Sequence, residues 1–165
     1  MAVEFVVEDG SGKSDSTSYM SVEDFRQFWE NRGKDYNDTL YPDAKVQAFL
    51  NNATAWIGYT YRFEGVLFLE TQALDFPRNH IYDKNEIDVS LTVPKEIEYA
   101  TAYLGEYELK GKSLNDVQVL GVKSKKIGPV SLSFDSITAA GSVQIRAAHG
   151  LLTPYIREKA VRRRL

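Results

Sequence analysis

Apolar positions recur at helical spacing in three stretches of the chain and alternate in a fourth. In the first stretch Val22, Phe25, Phe28 and Trp29 fall on one face. Ser21-Val-Glu-Asp24 reads as the helix start, the Ser21 hydroxyl accepting from a first-turn amide and Asp24 bonding back; Gly33, after Arg32, supplies a left-handed stop. The second stretch places Val46, Phe49, Leu50, Ala53, Trp56 and Ile57 on the i, i+3, i+4, i+7 pattern, behind Pro42 and Asp43. The aromatic rings there read as core. The third opens at Pro94, with Glu96 and Glu98 early and Ile97, Ala100, Thr101, Leu104 and Tyr107 on its face, and stops at Gly111.

The period then changes. Val117, Val119, Val130, Leu132 and Phe134 alternate with polar or small residues, and Lys123 to Gly128 lies between the two runs. This predicts a β-hairpin with a basic tip formed by Lys123, Lys125 and Lys126. The remaining segments read as connections. Met1–Val7 is a short strand or arm, and residues 8–18 are a turn or mobile loop. Gly65–Arg78 cannot be one helix through Pro77, and residues 79–92 are polar and irregular. Ser136–His149 is small-residue-rich and predicted flexible. Pro154 sits near the start of a basic C-terminal helix or tail. The fold class is mainly α (α+β): a small bundle of three to four helices, one hairpin, and extended N- and C-terminal arms. As a single domain over 1–165 it divides into an arm (1–20), a helical core (21–111), the hairpin (112–136), and a connection with the basic C-terminal segment (137–165).

Composition narrows the function classes. With 165 residues, 43% hydrophobic and 26% charged, the chain can bury a core without disulfide or metal. It has no cysteine, which excludes disulfide scaffolds, thiolate zinc sites, iron–sulfur clusters and cysteine nucleophiles. No apolar run reaches membrane-spanning length, and the acidic start lacks the basic region of a signal peptide, so a soluble, non-secreted protein is expected. The net charge of −3 hides a division: residues 1–100 carry −9 and residues 101–165 carry +6. Basic residues near a C-terminal helix end can simply complement its dipole. The sharper reading is an end that faces nucleic acid or an acidic neighbouring subunit.

Candidate chemistry is sparse. Gly10-Ser-Gly-Lys13-Ser14 invites a phosphate-loop reading, but Val7 stands where the first glycine belongs, and without it the amides should not converge on phosphate. His80 and His149 lack a second ligand at helical spacing, so no metal site is expected, and His80 reads as a solvated loop side chain. No G-x-S-x-G elbow is present. Glu106 and Glu108 read as a solvated face. Nothing among these residues argues for an enzyme or a cofactor. The hairpin lysines and the tail (Arg157, Lys159, Arg162, Arg163, Arg164) could neutralise phosphates, with ten tyrosines and eight phenylalanines as stacking candidates, although most fall on core spacings.

Several word-like segments occur in order: Val7 to Lys13 with Ser18-Tyr-Met-Ser-Val22, Ala53 to Ile57 with Tyr61 to Gly65, Gln72-Ala-Leu-Asp-Phe-Pro-Arg78, Lys123 to Val130, and Leu151 to Tyr155. Together they resemble the tailed-phage head–tail connector (neck adaptor) family, often labelled DnaT-like ssDNA-binding proteins. Phe76 stands where that family more often has Trp. The resemblance implies a structural virion protein of the phage neck, assembled in the host cytoplasm. It implies a homo-oligomeric ring, usually a dodecamer, beneath the portal, which docks a tail-side stopper or tail terminator protein. It carries no catalytic residues. By resemblance, Tyr155, Ile156, Arg157, Lys159, Arg162, Arg163 and Arg164 are the portal contact, and the hairpin tip faces the channel, with non-specific contact to packaged DNA and none to membrane. The alternative is an ssDNA-binding replication protein.

Overall fold

A computed structural model describes residues 4–116, 124–127, 130–133 and 143–157, with the backbone alone for 116, 124–127 and 130–133. Among these, the chain forms a small α+β fold. Its elements are α1 (Val22–Glu30), α2 (Asp43–Thr60), β1 (Val66–Leu67), β2 (Arg78–Asn79), α3 (Lys95–Leu109), β3 (Ser124–Ile127), β4 (Val130–Ser133) and α4 (Val143–Leu152), followed by a 3-10 turn at Thr153–Tyr155. The start of α1 forms as its residues dictate. The Ser21 hydroxyl accepts from the Asp24 amide and donates to the Asp24 carboxylate, satisfying a first-turn donor that has no partner inside the helix. Gly33 and Gly111 both take positive φ just past helix ends, where a Cβ would be strained.

Helix α3 is the centre. One face (Ile97, Ala100, Leu104) joins Ala53, Trp56, Ile57, Phe63, Phe76, Ile145, Leu152 and Tyr155 in one apolar cluster. The other carries Ala102 and Leu109 into a second cluster with Phe25, Phe28, Trp29, Tyr36, Val46 and Leu50. Gly105 lies between these residues: a Cβ there would approach Leu50 Cδ2 to 3.3 Å, so the small residue lets α2 and α3 close up. The second face repeats at positions 102, 105, 106 and 109, a stripe that a one-faced reading of α3 does not contain.

Several expectations change. Residues 143–149, expected to belong to a flexible connection, are helical, because Ile145, Ala148 and Leu152 form a stripe that buries against the rest of the core. Pro154 lies in the opening positions of the short 3-10 helix that follows α4, and Ile156 then bridges antiparallel to Phe63; the basic residues after Arg157 lie outside the described residues. Lys125 and Lys126 are not at a hairpin tip. Lys125 pairs with Leu132 and Lys126 with Ser131 inside the β3–β4 ladder, whose last pair is Ile127 with Val130. Ser124–Ile127, expected as the connection between the two alternating runs, itself supplies the partner strand of Val130–Ser133. Lys123, Val117, Val119 and Phe134 lie outside the described residues. The 79–92 segment is anchored by Ile81, 1% exposed, with His80 on the surface as expected.

Candidate functional site

The segment 61–78 and the end of the described chain form one structure. Three long-range links close it: the Phe63–Ile156 bridge, the Glu64 amide donating to the Tyr155 carbonyl, and the Arg157 amide donating to the Arg62 carbonyl. The Gln72–Arg78 motif holds this structure from the inside. Gln72 donates to the carbonyls of Leu74 and Pro77, while its own oxygen accepts from the Leu69 amide. Phe76, which precedes Pro77 across a cis peptide bond, is fully buried against Tyr19, Phe63 and Tyr155. The Arg78 guanidinium donates to the carbonyls of Phe63, Glu64, Gly65 and Asp75. Four carbonyls from two segments thus converge on one planar fork, a geometry that the five fixed donors of arginine suit and lysine does not. Burial pushes the Asp75 carboxyl up from its ordinary value, against the pull of Arg78 and Arg62.

This arrangement sorts the residues expected to contact a partner. Tyr155 is 1% exposed, its ring in the core and its hydroxyl donating to Glu96, so its side chain serves the fold. Ile156 is half-buried beside Phe63, whereas Arg157 is exposed. Lys159, Arg162, Arg163 and Arg164 lie outside the described residues. What the structure brings together is Arg62 and Arg157, adjacent through the backbone, next to the exposed Val66 and Leu67. Among the described residues neither arginine makes an ion pair with a carboxylate.

Two further polar centres depart from the sequence-based expectation. The amides of Gly10, Gly12 and Lys13 do converge, but on the chain's own Glu8 carboxylate at 2.9–3.0 Å, with the Ser16 hydroxyl as a fourth donor. An anion nest of this kind has no vacancy for phosphate. The loop is also tied down, since the Ala73 amide donates to the Lys13 carbonyl and Val6 and Glu8 bond with Thr17 and Ser18.

Glu106 is the second correction. Expected on a solvated face, it is 0% exposed. It accepts from Lys34 at 2.7 Å, from the Tyr36 hydroxyl and from Gln144 at 3.2 Å, and pairs with Lys110 at 3.2 Å. Burial raises its pKa, but these donors outweigh that effect and hold the carboxyl below its ordinary value. The stripe at 102, 105, 106 and 109 is the signal in the sequence that points inward. Glu108 stays exposed enough to accept from Asn52 at the surface. Among the described residues no three His, Cys, Asp or Glu side chains gather as a metal site, and no helix is long and apolar enough to cross a membrane.

A family model described as "Putative DnaT-like ssDNA binding protein" matches residues 3–165. The chain belongs to that family. The match takes in the Glu8 loop, the Gln72–Arg78 segment and the basic tail together. No curated protein and no solved structure matches the chain.

Proposed function

We propose that this chain is a structural connector with no catalytic role: a homo-oligomeric ring adaptor of the phage neck, placed between the portal and a tail-side stopper or terminator protein. The observation that carries the reading is where the rings and the free apolar side chains sit. Phe25, Trp29, Tyr36, Trp56, Phe63, Phe76 and Tyr155 are all in the interior. A sequence-tolerant ssDNA groove needs successive aromatic faces along a basic track. The aromatics among the most exposed hydrophobic residues are Tyr59 and Tyr82, on separate elements. Leu40, Val66, Leu67, Leu69, Ile87 and Leu91 are also exposed, on several segments, side chains that protein–protein contact can bury and a nucleic acid backbone cannot use.

The second reading is ssDNA binding, and the family description favours it directly. In that reading Arg62, Arg157 and the tail beyond them meet phosphates. One truncation separates the two. Removing residues 158–165 leaves the Arg157–Arg62 backbone bond in place, so the fold should survive, as judged by far-UV circular dichroism. A connector so truncated fails to attach to portal-bearing heads, and the full chain binds oligonucleotides weakly. Tight, salt-dependent oligonucleotide binding by the full chain, lost on truncation, together with no attachment to portal-bearing heads, would replace the first reading with the second.

A further inference from the structure

Between the last turns of α2 and residues 67–75 runs a groove of about 560 Å³, walled by Ala55, Tyr59, Leu67 and Leu74. The charged residues of its lining are Asp75 and Arg62, and Gly58 faces the carboxylate, since a Cβ there would stand 3.2 Å from Asp75 Oδ2. Other polar side chains of the lining are engaged within the fold. Gln72 bonds with Leu69, Leu74 and Pro77, the Tyr19 hydroxyl accepts from the Phe76 amide, and the Thr54 hydroxyl accepts from the Tyr19 amide. Asp75 is the exception. Its side chain is 35% exposed, Arg78 Nη1 stands 3.7 Å away, and among the described residues its two oxygens accept no hydrogen bond. A carboxylate stripped of part of its hydration, with open acceptors in a groove, calls for donors from a ligand.

Two parallel acceptors suit a ligand with two parallel N–H donors. An arginine of a partner protein has them, but Arg62 and Arg78 already act on this carboxylate, and a third cation would meet their repulsion. The Watson–Crick edge of guanine has the same donor pair, N1–H and the 2-amino group, without charge. Adenine and cytosine set an acceptor beside their donor, and uracil flanks its one N–H with two carbonyls, so each turns a lone pair toward the carboxylate. On the α2 side Tyr59, 60% exposed, presents a ring, and Arg62 presents a guanidinium suited to phosphate. We propose that this groove binds a single guanine nucleotide, the base donating to Asp75 and lying against Tyr59 with its phosphate on Arg62. This site goes beyond the connector reading and stands without it: one base is held, with no track of successive stacked bases. The nucleotide is free or is one residue of a single strand, since the recognised atoms are the same.

The test titrates the full chain with GMP, AMP, CMP, UMP and guanosine, followed by NMR chemical shifts. GMP should bind about tenfold or more tightly than the other three nucleotides, and more tightly than guanosine. Asp75→Asn turns one acceptor into a donor. It should lose GMP and gain xanthosine monophosphate, whose carbonyl at position 2 accepts where guanine donates; a misfolded chain would gain no ligand. Arg62→Gln should weaken GMP and leave guanosine unchanged. Gly58→Ala, a change that favours the helix, should weaken both by filling the groove beside Asp75. A thymine oligonucleotide with one guanine separates the sources: if it binds more tightly than thymine alone the ligand is a strand, and if only GMP binds it is the free nucleotide, and either result supports the site. Equal binding of the four nucleotides, no binding of GMP at millimolar concentration, or an Asp75→Asn chain with unchanged preference would overturn the proposal. So would binding of N-acetylarginine amide at Asp75 in preference to GMP, which would make the occupant a partner's arginine. Each of these failures leaves the connector reading in place.

Discussion

Glu8 and Glu106 are both buried carboxylates, and they are held in opposite ways. Glu8 is caged by donors from its own loop, Gly10 to Ser16, most of them backbone amides. Glu106 is caged by side chains from the α1–α2 connection, from the end of α3 and from α4, as far as seventy-two residues away in sequence. A local cage shapes one loop. A remote cage ties separate elements together and makes their docking interdependent. Both satisfy the rule that a buried charge must be hydrogen-bonded, yet only the second joins parts of the chain that sequence distance keeps apart.

The largest expected effect breaks the remote cage. Glu106→Ala should lower unfolding free energy by about 3 kcal/mol in denaturant titration, since it strands the buried Tyr36 hydroxyl and leaves Lys34 and Lys110 without their counter-charge. A loss below about 1 kcal/mol would mean that the node merely fills space. Glu8→Ala should cost less, about 1–2 kcal/mol, because water can reach part of the loop and replace the acceptor. Its signature is local: amide exchange should speed up in residues 8–18 while α3 and α4 stay protected. Equal loss of protection in both regions would erase the contrast.

Glu106→Gln sharpens the comparison through pH. The folded carboxyl titrates below its ordinary value of 4.5, so the folded state stays ionised where the unfolded chain already binds a proton. That contribution is present above 4.5 and is lost as pH falls through the folded value. The glutamine variant should therefore show a flatter acid limb in stability-versus-pH curves than the wild type. The smallest effect concerns His149, half-buried, whose ring nitrogen Nδ1 meets the Tyr61 hydroxyl. Burial lowers its pKa from 6.5, so the unfolded chain takes up a proton first and stability declines as pH falls below 6.5. His149→Gln should remove that shallow decline and little else.

The legibility of these features follows from distance along the chain. Helices α1, α2 and α3 are readable because their caps and apolar periods are local: Ser21 with Asp24, Pro42 with Asp43, Pro94, Gly33 and Gly111. The Glu8 nest is half-readable. Its glycines signal an anion loop, but nothing in the motif says that the anion is the chain's own carboxylate, two residues upstream of the first glycine. Arg78 is visible only as part of a word. Its role depends on carbonyls of residues 63–65, and nothing in periodicity brings those to a guanidinium. Helix α4 escapes a reading by period because alanine and glycine dilute its stripe, which the opposing face of α3 makes worth burying.

What the amino-acid order determined by itself is the set of elements with local causes: where helices begin and stop, which faces are apolar, that the charge divides between the two parts of the chain, and that thiol chemistry is absent. Tertiary structure decided which polar groups went inside and which basic residues stayed at the surface. Glu106 could be buried only because four donors, three of them from other segments, arrive at one point. Tyr155 was withdrawn from the surface because the chain end adds itself to Phe63. Free energies of that kind depend on neighbours brought together by packing, and the packing of α3 between two clusters is what brings them.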